Sequence, residues 1–317
     1  MCNVETLKNT LEQYGIAIIP SVLNENECNN MFNEVWSFFE YITSEWETPL
    51  KRNDKTTWNQ FYKLQPLHSM LIQHWGVGHC QASWNLRQNE KIVDIFARLW
   101  NCTKEDLLVS FDGLSFNLPP EDTGKGWNRN NTWYHVDQSY VKSGFECIQS
   151  WITAFDVNKG DATLSVYEKS HNYHQECGNN FGITDKLDWY KLNKDQLQFY
   201  INKGCKKINI ECPKGSLVLW DSRMVHCGIE AQQTRPNPNF RCVVYLCYMP
   251  KSKSNKTNLD KKKKAFEELR TTSHWPAKIK LFPKKPRVYG DPNLLLPEVK
   301  QIEHPHLSLL GLKLAGL

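Results

Sequence analysis

The feature that most constrains the fold is a series of short apolar segments that begins at residue 107. They are rich in β-branched and aromatic residues and are separated by Pro, Gly and Asn, which is typical of strands joined by turns. A set of short strands of this kind predicts a double-sheet jelly roll, also called a double-stranded β-helix. The predicted strands are residues 107–118, 132–140, 147–157, 164–168, 206–211, 216–220, 224–227 and 241–249.

Amphipathic helices precede these strands. Asn24 with Glu27 forms a capping-box pattern, and apolar residues then recur at helical spacing as far as Phe39. Residues 89–100 have the same spacing. We therefore predict a mainly β fold with helical support, of the α+β class. Its parts are residues 1–106 as a helical support integral to the domain, 107–250 as the β-helix core with an insertion at 171–205, and 251–317 as a C-terminal helix and extended tail.

The positive charge is confined to one segment. The chain has a net charge of +5, but Lys251–Lys264 alone holds seven lysines and one aspartate, so the remainder sums to about −1. A nucleic-acid binder spreads basic residues over a face or groove. We therefore expect no nucleic-acid partner and interpret the run as a solvated loop that enters a helix, with a basic contact site as the alternative.

The pattern of cysteines and the length of the apolar segments indicate the cellular compartment of the protein. The eleven cysteines form no C-x-x-C pair, and their number is odd, which does not fit a regular disulfide framework. No apolar run approaches the ~20 residues of a membrane span, and the first residues lack a secretory pattern. We expect an intracellular, cytoplasmic protein with free thiols and no membrane span. The sequence does not specify the oligomeric state.

One predicted strand carries a metal-binding pattern. Residues i and i+2 of a strand point to the same face, so His135 and Asp137 can reach one point together. His226, on the seventh predicted strand, can supply a third ligand. Two histidines and one carboxylate suit iron(II) and leave three positions open. We predict that His135, Asp137 and His226 are both the metal ligands and the catalytic residues.

A dicarboxylic co-substrate needs a cationic anchor. Arg241 opens the last predicted strand between apolar residues, so its guanidinium should be partly buried and in need of a partner. A guanidinium binds a carboxylate through two charge-assisted hydrogen bonds, and the distal carboxylate of 2-oxoglutarate would supply one such partner. Arg235, in the preceding loop, is a rival anchor. Asn117 and Arg87 are further candidates for lining the pocket.

The sequence resembles the phytanoyl-CoA dioxygenase-like family of Fe(II)/2-oxoglutarate-dependent oxygenases over residues 15–250. The matching pieces are GIAIIPSVLNENE, WYHVDQ, SWITAFDVNKGDATLSVYEKSH, PKGSLVLWDSRMVHCG and the Arg241 strand. The resemblance implies iron(II), 2-oxoglutarate and O2, with release of succinate and CO2 and hydroxylation of a substrate carbon. It also implies that Trp151 lines the co-substrate pocket. Halogenating relatives lack the carboxylate ligand, so Asp137 favours hydroxylation.

The chain departs from the family pattern at four places. One is the end of the fourth strand, which reads Glu-Lys-Ser-His171 where the family usually has Pro-Gly-Ser-His. Val136 stands where Gln is common, the turn before the fourth strand reads Lys-Gly-Asp-Ala-Thr-Leu, and the spacing from His226 to Arg241 is longer than usual. The longer spacing is what makes Arg235 a rival.

Several alternatives stay open. His171 and His174 could form a second metal pair, although a role for His171 beside the substrate is the better interpretation. Residues 270–275 could contact substrate or pack as a tail. We expect a small-molecule or lipid-like substrate. The alternatives are a jelly roll that binds metal or ligand without turnover, and a hydroxylase acting on protein or nucleic acid.

Overall fold

In the computed structural model, which describes residues 1–65, 70–286, 293 and 295–317, two antiparallel five-stranded sheets form the centre of the protein. A short two-stranded pair lies beside them. In chain order the strands are β1 Ile16–Ile19, β2 Leu107–Val109, β3 Leu114–Asn117, β4 His135–Val136, β5 Ile148–Thr153, β6 Thr163–Tyr167, β7 Tyr190–Lys191, β8 Lys207–Asn209, β9 Leu217–Asp221, β10 His226–Ile229, β11 Arg241–Tyr245 and β12 Tyr248–Pro250.

The strand order is that of a jelly roll. The first sheet runs β1-β9-β5-β11-β3, the second runs β7-β4-β10-β6-β8, and β12 pairs with β2. Along the chain, β3, β5, β9 and β11 go to the first sheet, whereas β4, β6, β8 and β10 go to the second. This distribution of core strands between two facing sheets confirms the predicted double-stranded β-helix and the α+β class.

Two predicted strands are interrupted. The segment 107–118 divides into β2 and β3 at Gly113, where an added Cβ would lie 1.9 Å from the carbonyl oxygen of Ile72. Only glycine allows that close approach of two backbones. The segment 132–140 is a strand only at His135–Val136. Beyond it, Gln138 donates to the Gly144 carbonyl and Ser139 to the Asp185 carbonyl, so polar side chains bind loops instead of continuing the ladder.

Helices of the N-terminal support, such as α2, pack on the outer face of the first sheet. The capping box of α2 is present, with the Glu27 amide donating to Asn24 Oδ1 at 2.9 Å and the Asn24 amide donating to Glu27 Oε2 at 2.7 Å. The buried face of α2 packs against Phe116 of β3. The helices are α1 Leu7–Tyr14, α2 Glu25–Ile42, α3 Gln81–Arg87, α4 Glu90–Trp100, α5 Pro120–Thr123, α6 His174–Asn180, α7 Lys194–Asn202, α8 Lys256–Glu267 and α9 Leu309–Ala315.

The C-terminal region corrects two expectations. The lysine run forms a 3-10 turn, Lys251–Lys253, and most of α8, and Lys262 within it is fully buried. Its Nζ donates to the Val109 carbonyl at 2.6 Å and lies 3.9 Å from the Phe111 ring centroid. The interpretation as a wholly solvated segment was therefore wrong at Lys262. The predicted extended tail ends in the helix α9, while its residues 287–292 and 294 lie outside the described residues.

One apolar core joins the three predicted parts of the chain. Leu7 and Phe39 from the helical support, Phe116 from β3, and Ile279 and Leu314 from the tail belong to the same buried cluster. Within the described ranges, no helix is long and apolar enough to cross a membrane. The division at residues 106 and 250 stays a prediction, because shared packing does not mark independent units.

The predicted insertion at 171–205 contains α6, β7 and α7. Its strand β7 pairs with β4, so that Lys191 lies opposite His135. The insertion is thereby joined to the edge of the second sheet that carries the metal-binding pattern.

Candidate metal centre

Sheet pairing brings the three candidate ligands together. His135 lies in β4, Asp137 follows directly, and His226 begins β10 opposite His135 in the antiparallel register. The Nε2 atom of His226 lies 3.2 Å and that of His135 3.5 Å from Asp137 Oδ2. All three side chains are buried, and one ligand atom from each lies within 4.8 Å of the others. Residues that are far apart in the sequence thus have their ligand atoms close together in the structure.

Backbone carbonyls orient both imidazoles. Nδ1 of His135 donates to the Trp133 carbonyl at 3.2 Å, and Nδ1 of His226 donates to the Met224 carbonyl at 2.9 Å. These bonds place the proton on Nδ1 and direct the lone pair of Nε2 toward Asp137. In this tautomer both Nε2 lone pairs and the Asp137 carboxylate can face one cation, so the residues fit a divalent metal.

The electrostatics favour the protonation states that a metal requires. Burial alone would raise the pKa of Asp137, but the electrostatic effect of His135 and His274, with hydrogen bonds, holds this pKa well below its usual range. Burial, together with the nearby His226, lowers the pKa of His135. An ionised carboxylate and a neutral imidazole are the forms that bind metal.

Gln149 supports the carboxylate and was not singled out from the sequence. Its Nε2 donates to Asp137 Oδ2 at 2.9 Å from strand β5. The available signal was a glutamine two positions before Trp151 in the same strand, since i and i+2 share a face. A bond of this kind fixes the orientation of a ligand and tunes its basicity.

Tryptophans surround the two imidazoles. Trp133 stacks on His135 with ring centroids 4.7 Å apart and an interplanar angle of 6°. Trp189, from the insertion, lies 5.7 Å from the same ring and is 49% exposed. Trp220 meets His226 edge-on at 5.5 Å. The aromatic packing limits ring rotation, while Trp189 marks the side of the site that faces solvent.

Arg241 is buried but bound only to neutral groups. Its Nε donates to Ser115 Oγ at 2.9 Å, its Nη1 donates to the Ala162 carbonyl at 3.1 Å, and its guanidinium lies 5.4 Å from the Trp151 ring centroid. Asn117 is its partner in the β3–β11 register. Within the part of the chain that the structure describes, Arg241 forms no ion pair with a carboxylate. A buried guanidinium without a counter-ion is costly, which points to a missing anion.

Strand β5 links the residue that holds Asp137 with the residue over which Arg241 lies. Gln149, which holds Asp137, and Trp151, over which Arg241 lies, are successive inward-facing residues of β5. Two residues of an antiparallel strand span about 7 Å. The carboxylates of a five-carbon diacid are separated by a similar length.

Arg235 has a different environment. Its guanidinium binds Glu121 at 2.5 Å and Asp161 at 3.1 Å. The turn at Gly160 packs closely against Arg235. Gly160 has a φ of +87°, and an added Cβ there would lie 2.9 Å from the Cβ of Arg235. Two carboxylates already satisfy this arginine, so its geometry is that of a structural ion pair.

Other candidates serve the fold. Nε2 of His171 bonds the Glu12 carbonyl at 3.0 Å and Nε2 of His174 bonds the Gln138 carbonyl at 2.9 Å. Among the described residues, neither histidine belongs to a group of three or more side chains that could hold a metal. Arg87 is fully buried and donates to the main-chain oxygens of Gly78 and Asp112, behind the loop at 110–113.

The comparisons with known proteins agree with this geometry. The family model described as Phytanoyl-CoA dioxygenase (PhyH) matches residues 11–234. Ava biosynthesis cluster protein O of Aspergillus versicolor is 29% identical over 213 residues, covering 64% of this chain and 65% of that protein, a little under two thirds of its length. A Dictyostelium discoideum protein provisionally named a phytanoyl-CoA dioxygenase is 23% identical over 301 residues, 81% of this chain and 79% of its own.

A solved structure shares the overall fold. The crystal structure of a Salmonella typhimurium LT2 protein, provisionally named an oxidoreductase, superposes with a TM-score of 0.59 at 12% sequence identity. The match covers 99% of this chain and 82% of that one. At this identity the likeness concerns the fold alone.

Proposed function

Because the chain belongs to the phytanoyl-CoA dioxygenase family, we propose that it is an Fe(II)/2-oxoglutarate-dependent dioxygenase that hydroxylates a small-molecule or lipid-like substrate. Family membership supports oxidoreductase activity in general. The observation that carries the specific proposal is the convergence of His135 Nε2 and His226 Nε2 on Asp137. Arg241 lies over Trp151 of strand β5 and forms no ion pair with a carboxylate of the described residues.

The ligands and the anchor have separate tasks. His135, Asp137 and His226 would hold iron(II), and Gln149 keeps the carboxylate in place. When bound, iron and 2-oxoglutarate together supply O2 activation, with succinate and CO2 as co-products.

The co-substrate subsite lies on the first sheet. Arg241 would bind the distal carboxylate of 2-oxoglutarate, while Trp151 and Asn117 line the same subsite. Ser115 and Ala162 hold the guanidinium in position in advance, which reduces the entropy that co-substrate binding must overcome.

Two observations favour a small-molecule substrate over a protein or a nucleic acid. The fungal relative carries the name of a biosynthesis cluster protein, which favours a small molecule. A second candidate function, metal or ligand binding without turnover, does not require a buried arginine that forms no ion pair with the described carboxylates. A protein or nucleic-acid substrate would favour a basic surface around the site, yet the lysine excess lies in and before α8.

Anaerobic titration with iron(II) and then 2-oxoglutarate tests the proposal. The expected result is a weak visible charge-transfer band that needs both additions. His135→Ala, Asp137→Ala and His226→Ala should each weaken or abolish the band and stop succinate formation, because each removes one of three ligands. His306→Ala, at an exposed histidine, is the matched control. A wild-type protein without the band would refute the proposal, and full activity in a variant would remove that residue from the ligand set.

A further inference from the structure

Strand β7 of the insertion lies directly beside a strand that carries metal ligands. It pairs antiparallel with β4, so that Lys191 lies opposite His135 and Tyr190 lies opposite Val136. Directly paired residues of an antiparallel ladder have their side chains on the same face of the sheet. Lys191 therefore shares a face with His135, and the two backbones are about 4.8 Å apart.

Trp189 lies on the same face. It precedes Lys191 by two residues, and residues i and i+2 of an extended strand point the same way. Its ring centroid lies 5.7 Å from that of His135, with an interplanar angle of 35°. Tyr190, between them, points to the other side of the sheet and meets Tyr140 edge-on at 5.3 Å. An aromatic ring and an ammonium group thus follow each other at a strand step of about 7 Å beside the metal group.

Polar contacts fix the segment that carries Trp189. The Ser139 amide donates to Asp188 Oδ1 at 3.0 Å, and Asp188 Oδ2 forms an ion pair with Lys142. The Ser139 hydroxyl also donates to the Asp185 carbonyl. Because Trp189 follows Asp188 directly, these contacts place its ring next to His135 before any ligand binds.

The two side chains have surface that the protein itself does not use. Trp189 is 49% exposed, so about half of this large apolar side chain gains nothing from burial. Lys191 is exposed, and within the described ranges its ammonium group has no hydrogen bond, ion pair or ring contact. Lys142, in the neighbouring loop, differs because it pairs with both Asp188 and Glu146.

We propose that Trp189 and Lys191 bind the substrate, and that this substrate carries an anionic group next to an apolar ring. The inference rests on the proposed function for the reaction and deepens it by naming the substrate class. The substrate ring packs on the exposed surface of Trp189, and the anionic group accepts a charge-assisted hydrogen bond from Lys191 Nζ. The proposed anchor of 2-oxoglutarate, Arg241, lies on the other sheet, so Lys191 is left for the substrate.

Matched bicyclic probes test this pair of residues. The protein is titrated calorimetrically with 2-naphthoate, its uncharged isostere 2-naphthamide, and propanoate, once with iron(II) and 2-oxoglutarate without oxygen and once without either. Wild type should bind 2-naphthoate about fivefold more tightly than 2-naphthamide, the upper factor for an exposed charge pair. It should bind 2-naphthoate at least tenfold more tightly than propanoate, which lacks the ring. A titration with 2-naphthyl phosphate then shows whether a carboxylate or a phosphate is the better anionic group.

Variants assign each preference to one side chain. Lys191→Met should remove the preference for 2-naphthoate over 2-naphthamide, and Lys191→Arg should keep it because the charge remains. Trp189→Ala should weaken both naphthyl probes about threefold to tenfold, and Trp189→Phe should weaken them less. Lys186→Met, at an exposed lysine of the same insertion, is the matched control and should change nothing.

The outcomes separate this inference from the oxygenase proposal. Equal binding of 2-naphthoate and 2-naphthamide by wild type, or an unchanged preference in Lys191→Met, overturns the anion contact; a preference that arises at Arg241 would persist in this variant. Unchanged naphthyl binding in Trp189→Ala overturns the ring contact, and if that variant does not fold, unchanged binding in Trp189→Phe overturns it instead. Absence of the charge-transfer band in wild type counts against the oxygenase proposal alone, because the probes are also measured on the protein without iron.

Discussion

Replacing Arg241 by alanine is expected to weaken 2-oxoglutarate binding while leaving iron binding nearly unchanged. Its guanidinium lies over Trp151, about one strand step from the residue that holds Asp137, so it meets the far carboxylate of the co-substrate and not the metal. A charge-assisted hydrogen bond contributes about 1.5–3 kcal/mol. Since about 1.4 kcal/mol is tenfold in affinity, the loss should be roughly one to two orders of magnitude.

Two further variants sharpen this prediction. Arg241→Lys should recover only part of the affinity, because an ammonium cannot make the planar, two-pronged contact. Arg235→Ala should leave affinity for 2-oxoglutarate near wild type but reduce the free energy of unfolding by about 3 kcal/mol, since it strands the buried Asp161. The partly exposed Glu121 contributes less to that loss.

The measurements are calorimetric titration with 2-oxoglutarate in the presence of iron without oxygen, and urea unfolding of the same samples. Arg241→Ala should mainly lower the affinity for 2-oxoglutarate, whereas Arg235→Ala should mainly lower the free energy of unfolding. Weaker binding in a folded Arg235→Ala protein, together with normal binding in Arg241→Ala, would refute the reasoning. The anchor would then lie in the loop before β11.

Two other predictions concern buried polar groups. Burial lowers the pKa of Lys262 from 10.5 to about 7, so between these values the unfolded chain binds a proton that the folded protein does not. Lys262 by itself should therefore add a slope of about 1.4 kcal/mol per pH unit to the unfolding free energy, which rises with pH in this window and falls as the pH is lowered. Lys262→Met should remove that slope and exposed Lys263→Met should keep it, as measured by urea unfolding across pH. Gln149→Leu should weaken iron affinity by about 10- to 100-fold in a metal titration, and unchanged affinity would contradict its role on Asp137.

The sequence determined the features that depend on local backbone geometry. The alternation of apolar segments and turn residues predicted the strands of the jelly roll. The i, i+2 spacing predicted that His135 and Asp137 point to one face of a strand. The capping box at Asn24 was equally local. These inferences hold because side-chain direction within a strand or helix follows from the backbone alone.

Only the tertiary structure decided which charged groups pair. Arg235 and Arg241 look alike in sequence, but the carboxylates that bind Arg235 lie 114 and 74 residues away along the chain. Lys262 sits in a run of exposed lysines and is nevertheless buried against β2. The physical reason is that burial and ion pairing depend on contacts between distant segments, which no local pattern of residues records.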